Sequence, residues 1–483
     1  MPTVDKASVR EQLESLKGQY ERLCAEGQLG AEGRALFQAL LTLIEVVVAA
    51  FMEKRTPKTS RNSGLPPSQT AKEAQPPTRA GTQGKGPQPD TPHPPNARTI
   101  ETVALAPVAT CAGCGEDLRS TATVEHERRT RIDIIFEKTL EHVDAEIKHC
   151  PHCQAQTKGA FPQGLAGPEQ YGPGIKADVL NRLVAQMLSL KRVQQSVTTL
   201  IGRALSEATV LKYVMQLHHA LEAWEQSAIQ QLLAQPALHV DETAMRVDRK
   251  NHWVHVYAAG EITLKRLHPK RGGEAIEAIN IIPPYEGYII HDCWASYLAY
   301  HHCAHGLCGA HLLRELAYVV ESNGYRWPAQ LKRLLQDTCA QVAERKEQCL
   351  TNAEYKRLRK RYRTILTQGA KELPPVPPKP KGKRGRTAKS DAHNLWERLQ
   401  RHEQAVLLFT RSPDVPFTNN RAERDLRMTK VKQKVAGCFR TRQYAEAYCR
   451  ISSYLQTMAR RGYNPFLAIQ MALSGAIYEE GSE

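Results

Sequence analysis

Ten of the chain's 29 prolines fall between residues 56 and 96, in a stretch rich in Ser, Thr, Gln and Gly with almost no large apolar side chain. Such a segment buries too little surface to offset the entropy of ordering it, so it reads as a linker. One continuous core is therefore excluded, and 483 residues also exceed what a single core usually organises. The expected pieces are a helical, leucine-zipper-like segment over 1–54, the Pro-rich linker over 55–104 and a cysteine-bearing module over 105–160. A helical linking region over 161–235 follows, then a sheet-bearing part over 236–308, a helical insertion with a basic loop over 309–410, and a C-terminal part over 411–483.

Periodicity fills in these pieces. Leu13, Leu16, Tyr20 and Leu23, and then Leu36, Leu40, Leu43 and Val47, recur at steps of three and four on either side of Gly27 to Gly33. Two helices follow, forming either a hairpin on the protein's own body or a dimerisation seam. Ala177, Leu180, Leu183, Val184 and Met187 carry the same spacing and predict a helical unit over Ile175 to Leu233. The character changes at Pro236. Ala237 to Val247 and His252 to Ala259 are β-rich runs joined by a turn-like Asp-Arg-Lys-Asn, and Tyr288 to His291 reads as a buried strand ending at Asp292. Residues 309–368 return to helical spacing, 371–390 form a Pro- and Lys-rich loop, and further helices are expected over Ala392 to Phe409 and from Asn420 onward.

Lys and Arg number 66 against 50 Asp and Glu, a net charge of +16. That excess calls for a polyanionic partner, either nucleic acid or an anionic membrane surface. No run approaches the roughly 20 apolar residues of a membrane span. Ala35 to Met52 comes nearest and is interrupted by Gln38 and Glu45. Without a basic segment followed by an apolar one, the N-terminus does not read as a secretory signal, and a cytoplasmic location is expected. In that reducing compartment the 12 cysteines favour metal binding over a disulfide framework.

Cys111-Ala-Gly-Cys114 and Cys150-Pro-His-Cys153 are two thiol pairs able to fill the four corners of a closed structural Zn²⁺ site, with His149 and His152 as alternative ligands. Three acids stand out by context. Asp241 lies on an expected strand in Leu238-His-Val-Asp-Glu-Thr, Asp292 ends one, and Glu423 falls in the first turn of a helix that Thr418, Asn419 or Asn420 can cap. Two strands and a helix could bring them onto two Mg²⁺ ions, although spacing alone does not separate them from ordinary surface acids. Basic residues flank the third acid at near-helical spacing: Arg421, Arg424, Arg427, Lys430, Lys432 and Lys434. Lys356 to Lys389 carries 13 Lys or Arg against Glu372 alone, so it reads as a second DNA-facing segment or as a solvated face. Trp253, Trp294 and Trp396 are candidates for base stacking, with buried core as the plainer alternative.

In order along the chain stand Lys58-Thr-Ser-Arg-Asn-Ser-Gly-Leu-Pro-Pro-Ser68, the two cysteine pairs, Tyr171-Gly-Pro-Gly174, His239-Val-Asp-Glu-Thr243, Cys308-Gly-Ala-His311 and Asn419-Asn-Arg-Ala-Glu-Arg424. Together they resemble the transposases of the insertion sequence 66 family. The resemblance implies an α/β catalytic core of ribonuclease H-like type with a helical insertion, helical N-terminal segments and a zinc-binding module. It implies a DDE-type enzyme that cleaves and joins DNA, with Asp241, Asp292 and Glu423 as ligands of two Mg or Mn ions. Cys308 and His311 resemble the Cys-x-x-His signature found after the second Asp in such enzymes, in a supporting role. Read as residues alone, they could instead join Cys303 and His305 in a second zinc site. Implied partners are transposon-end and target DNA, further copies of the chain on DNA, and accessory proteins of the same element, with no membrane. A catalytically silent DNA-binding regulator and a nuclease that cuts without joining are the rival readings. One departure falls after the second acid, where Cys293 stands in place of the small residue, such as Gly, expected there.

Overall fold

The computed structural model describes residues 6–52, 100–376 apart from 133, 135, 163 and 166, and 389–476. Most of the expected linker and positions 377–388 of the basic loop lie outside the described residues. The chain forms two compact units, one of Met1–Pro87 with Ala223–Gln456 and the other of Gln88–Glu222 with Thr457–Glu483.

In the first unit, α1 (Lys6–Ala25) and α2 (Ala31–Met52) form a helical hairpin. The turn includes Gly27 at φ +70°, a left-handed conformation open to glycine. Tyr20 stacks on Phe37 at 6.4 Å and donates its hydroxyl to the Arg34 carbonyl at 3.0 Å. Leu36, Leu40 and Leu43 nevertheless remain exposed.

The second unit contains a short antiparallel hairpin, β1 (Ile147–His149) with β2 (Gln156–Lys158), which carries Cys150 and Cys153 at its tip. Its core is helical, with α3 (Pro173–Leu180) running into a π-turn over Asn181–Ala185, then α4 (Leu190–Ile201) and α5 (Glu207–Ala220). Pro173 opens α3, where a missing N–H does no harm, and the Ser206 hydroxyl caps α5 by accepting from the Thr209 amide at 3.0 Å. Ala177, Leu180 and Leu217 are fully buried, and the helix Pro465–Ser474 packs on α3 and α5. The helical spacing read over this region thus corresponds to separate short helices divided at Gly202.

The remainder of the first unit holds the sheet. After α6 (Glu222–Leu233) come β3 (Ala237–Val247), β4 (Lys250–Ala259) and β5 (Ile262–His268), an antiparallel meander. Asp248 and Arg249 sit at φ 47° and 59°, the left-handed pair that a two-residue hairpin turn requires. Then α7 (Gly273–Ile279) leads to β6 (Tyr288–His291) and β7 (Ala304–Leu307), which continue the sheet beyond β3 as parallel strands. The five-stranded mixed sheet has the order β5-β4-β3-β6-β7. Sequence reading missed β5 and β7. The first hides Lys265 inside its pattern, fully buried with its ammonium donating to Ser452 Oγ at 2.8 Å, and the second is four residues long and contains Gly306.

Between β7 and the last helices lies a helical insertion: α8 (Gly309–Asn323), α9 (Arg326–Ala343), α10 (Asn352–Glu372), α11 (Asp391–Arg401) and α12 (Glu403–Leu407). Gly324 at φ +66° ends α8, while Thr351 and Glu354 form a capping box at the start of α10. Trp327, Leu331, Leu335, Tyr362 and Leu399 are among the residues that build its core. The chain then returns to the sheet with α13 (Asn420–Ala436), packed against β3 and β4, followed by α14 (Arg442–Arg460).

Candidate active site

Parallel pairing of β3 and β6 matches Leu238 with Ile289 and His239 with Ile290. Continued by two residues, that register would bring Asp292, one residue past the end of β6, level with Asp241 on β3, and the two carboxyls are close enough to act on each other. The third acid arrives on α13, whose position the sheet fixes. Asn419 at the head of α13 is buried; its amide nitrogen donates to the Val240 carbonyl at 2.8 Å and its oxygen meets His239 Nδ1 at 2.9 Å. Thr263 on β5 donates to Asp425 at 2.7 Å, so the first turns of the helix are tied to the sheet at both sides. Glu423 is thereby held on the face that carries Asp241.

Electrostatics record this convergence. Burial, together with the negative charges of Glu242, Asp292 and Glu423, pushes the Asp241 carboxyl well above the usual carboxylate range. Asp292 is also raised by burial, opposed by the Trp294 amide, Arg271 and Arg398. Glu423 Oε1 is buried without a hydrogen-bond donor among the described residues, and faces His311 Nδ1, equally unbonded, at 3.5 Å. Burial lowers His311 to about 4, so the ring is neutral at pH 7 and does not balance the carboxylate. Among the described residues, Arg314 at 3.9 Å is the one permanent cation within 4 Å of Glu423.

Cys308 and His311 stand at the start of α8. The Asn419 amide donates to Cys308 Sγ at 3.1 Å, and the ligand atoms of Cys308, His311 and Glu423 lie within 4.8 Å of one another. The Cys-x-x-His pair thus packs directly behind the third acid. Cys303 and His305 do not join it: Cys303 Sγ bonds the Tyr285 carbonyl, and His305 bonds His291 at 3.0 Å. The second zinc site left open by the sequence is not assembled, because Cys303 and His305 lie at the start of β7, the end away from α8.

Gly309 fixes this corner. Its amide donates to the Phe417 carbonyl at 2.8 Å, and an added Cβ would lie 2.3 Å from the Phe417 ring. Gly309→Ala is expected to destabilise the protein by about 1–3 kcal/mol, the usual range for overpacking, seen as a lower denaturant midpoint with an unchanged slope. A midpoint equal to the parent's would show that the ring can step aside.

Sequence reading missed a second layer around the acids. Arg271 donates to Glu242 through Nε at 2.8 Å and its terminal nitrogen at 2.7 Å, while Tyr297 donates its hydroxyl to the other oxygen of Glu242. The same guanidinium lies between Trp253 and Trp294, 4.9 and 4.3 Å from their ring centroids. Both indoles are half-buried, with Arg271 against each ring. Burial, with Asp292 nearby, lifts Glu242 to about 7. Glu242 was legible as the neighbour of Asp241, whereas no local pattern marks Arg271. Cys293, the residue that departed from expectation, has φ 74°, so the position after the second acid does take the left-handed conformation that favours glycine.

The basic residues divide by burial. Arg424, Arg427 and Lys434 are exposed along α13, but Arg421 donates to the Ile262 carbonyl at 3.0 Å and Lys430 to the Ala244 carbonyl at 2.9 Å. Lys432 is buried, which lowers its ammonium to about 8, so it does not offer a surface charge. The helical turn places it on the side packed against the sheet.

The two cysteine pairs occupy turns built alike. Cys111 donates its amide to Glu116 and accepts from Gly115 (φ 77°), and Cys150 does the same with Ala155 and Gln154 (φ 62°). In each turn backbone amides lower the first thiol, Cys111 facing Cys114 and Cys150 facing Cys153. The two pairs do not form one cluster of ligand atoms within 4.8 Å among the described residues.

A family model described as Transposase IS66 family matches residues 168–447, from the start of the helical region through the carboxylates and α13. The chain belongs to the IS66 transposase family. A comparison with curated proteins finds no match. The family match covers the Cys308 and His311 pair and all three acids of this IS66 transposase family member, while Cys111, Cys114, Cys150 and Cys153 precede it. No helix among the described residues is long and apolar enough to cross a membrane.

Proposed function

We propose that this IS66-family transposase cuts and rejoins DNA with a DDE-type site made of Asp241, Asp292 and Glu423. The observation carrying this reading is the convergence of three carboxylates with too little positive charge to balance them: Asp241 on β3, Asp292 just past the end of the neighbouring parallel strand β6, and Glu423 with a buried, unbonded oxygen. Oxygen donors of this kind suit Mg²⁺ or Mn²⁺. Asp241, Asp292 and Glu423 would together hold two such ions. Bound there, the ions would stabilise the attacking and leaving oxygens of a phosphodiester displacement. Cys308 and His311 support the third acid from behind.

The reaction consists of two in-line displacements, with no covalent protein intermediate. Water attacks the phosphodiester at the element's end and releases a 3′-hydroxyl; that hydroxyl then attacks a target phosphodiester, forming one P–O bond as another breaks. Exposed Arg424, Arg427 and Lys434 are assigned to the phosphate backbone. A ribonuclease H-like core is assigned to 236–308 with 411–456, interrupted by the insertion over 309–410, while the C-terminal residues from Thr457 belong to the other unit; the antiparallel meander flanked by two parallel strands supports it. Zn²⁺ is assigned to Cys111, Cys114, Cys150 and Cys153 on the strength of the matching turns and of the lowered first thiol of each pair, Cys111 and Cys150, and binding would have to draw together two pairs that do not form one ligand cluster among the described residues. Holding two DNA ends requires at least two copies on DNA.

The test is incubation of the full chain with a labelled element-end duplex and Mg²⁺ or Mn²⁺, followed by sizing of the products. Joined strands that disappear with EDTA are the expected outcome. Cutting without joining would favour the nuclease, and binding without chemistry the regulator.

A further inference from the structure

One face of α10 is basic in a way the carboxylate site does not explain. Lys356, Lys360, Arg363 and Lys371, with Arg359, Thr364, Thr367 and Gln368, line a groove of about 490 Å³. They recur at steps of three and four, and from Lys356 to Lys371 the helix advances about 22 Å. The opposite face is apolar, with Leu358, Tyr362 and Leu366 buried in the insertion core. The helix's own acids do not neutralise the groove. Glu354 is spent on the capping box and on Arg345, while Glu372 accepts from the Arg326 amide at 2.6 Å. Glu403 from α12 takes both Arg359 and Arg363, at 2.6 and 2.7 Å. Among the described residues, Lys356, Lys360 and Lys371 have no ion-pair partner.

The groove's floor does not resemble a small-molecule site. Thr364 and Thr367 turn their hydroxyls back to the Lys360 and Arg363 carbonyls at 2.9 Å, leaving the lysines as the groups that reach outward. A row of ammonium groups along a straight helix fits a row of phosphates, which carry one charge per about 1.7 Å of duplex axis. It offers no rigid fork aimed at base edges.

We infer that the α10 groove is a second duplex-binding surface, holding the phosphate backbone without regard to sequence, through Lys356, Lys360 and Lys371. The inference rests on the DNA-transposing function proposed above, in that DNA is the polyanion named. Its test does not require chemistry. Binding of the full chain to a fluorescent random-sequence duplex is followed by anisotropy from 50 to 300 mM KCl in EDTA. The triple variant Lys356→Ala, Lys360→Ala, Lys371→Ala is expected to lower the slope of log K against log salt by about 2.7, near 0.9 for each phosphate no longer neutralised.

Arg357 and Arg361 are exposed on the same helix but do not line the groove, so Arg357→Ala with Arg361→Ala is the control for charge alone. Its slope should fall by less than one. An equal drop per charge in the control, or an unchanged slope in a triple variant with parental thermal unfolding, would overturn the assignment. Undiminished DNA binding with weakened binding to phosphatidylserine vesicles would overturn it too, in favour of a membrane surface. If the wild type joins no strands, the proposed function falls while the slope still decides the groove.

Discussion

Asp241→Asn is expected to abolish strand joining, by about 10³-fold or more, while making the metal-free protein more stable. The loss follows from removing one of the three acids that would hold the ions, whose contribution to the displacement is several kcal/mol. The gain follows from the same geometry. Asp241 is buried beside Glu242, Asp292 and Glu423, and its charge is disfavoured by all of them. An amide of the same shape keeps the acceptor for the Glu242 amide, now at 2.8 Å, and removes the repulsion. Thermal unfolding with and without Mg²⁺ separates the two effects. In EDTA the variant should melt above wild type. At Mg²⁺ about 100-fold above its dissociation constant, wild type should gain about 2.7 kcal/mol, or roughly 5–10 °C, and the variant much less. A wild-type midpoint that ignores Mg²⁺ would remove the metal from these carboxylates.

Trp327→Ala should be the most damaging change away from that site. The indole is fully buried at the start of α9 and is the largest such side chain among the described residues. It packs so closely on α10 that a Cβ at Gly369 would stand 2.8 Å from its ring. Truncation leaves a cavity bounded by two helices that are further tied by Glu372 to the amides of Arg326 and Trp327, at 2.6 and 3.4 Å. Such sites collapse poorly, so the expected loss is about 3–5 kcal/mol, measured as a fall in the denaturant midpoint. A loss below about 1 kcal/mol would mean that α9 and α10 repack around the gap. Since α10 carries the lysine groove on its outer face, the variant should also weaken the salt-dependent part of DNA binding.

Much of this protein was fixed by local pattern. The β3 and β4 hairpin was legible because alternating apolar residues flank a turn-forming Asp-Arg-Lys-Asn, and the strand before Asp292 because Tyr288-Ile-Ile-His is apolar and short. The three acids could be placed on an expected strand, at the end of another and in the first turn of a helix, but only the resemblance to the family set them apart from other acids. The helices over 309–368 followed from spacing, since their apolar residues repeat every three or four positions, while their reading as an insertion came from the family resemblance. Tertiary structure decided what those residues meet. Pairing of β3 with β6 brings Asp292, just past the end of β6, toward Asp241, and Asn419 reaching back to His239 and Val240 brings up Glu423, across intervals that no local pattern spans. Arg271 between two indoles, the burial of Lys265 and Lys432, and the strands β5 and β7 were equally invisible. The physical reason is common to all of them: periodicity reports which side of an element is buried, while partners for buried charge are chosen by packing between elements distant in sequence.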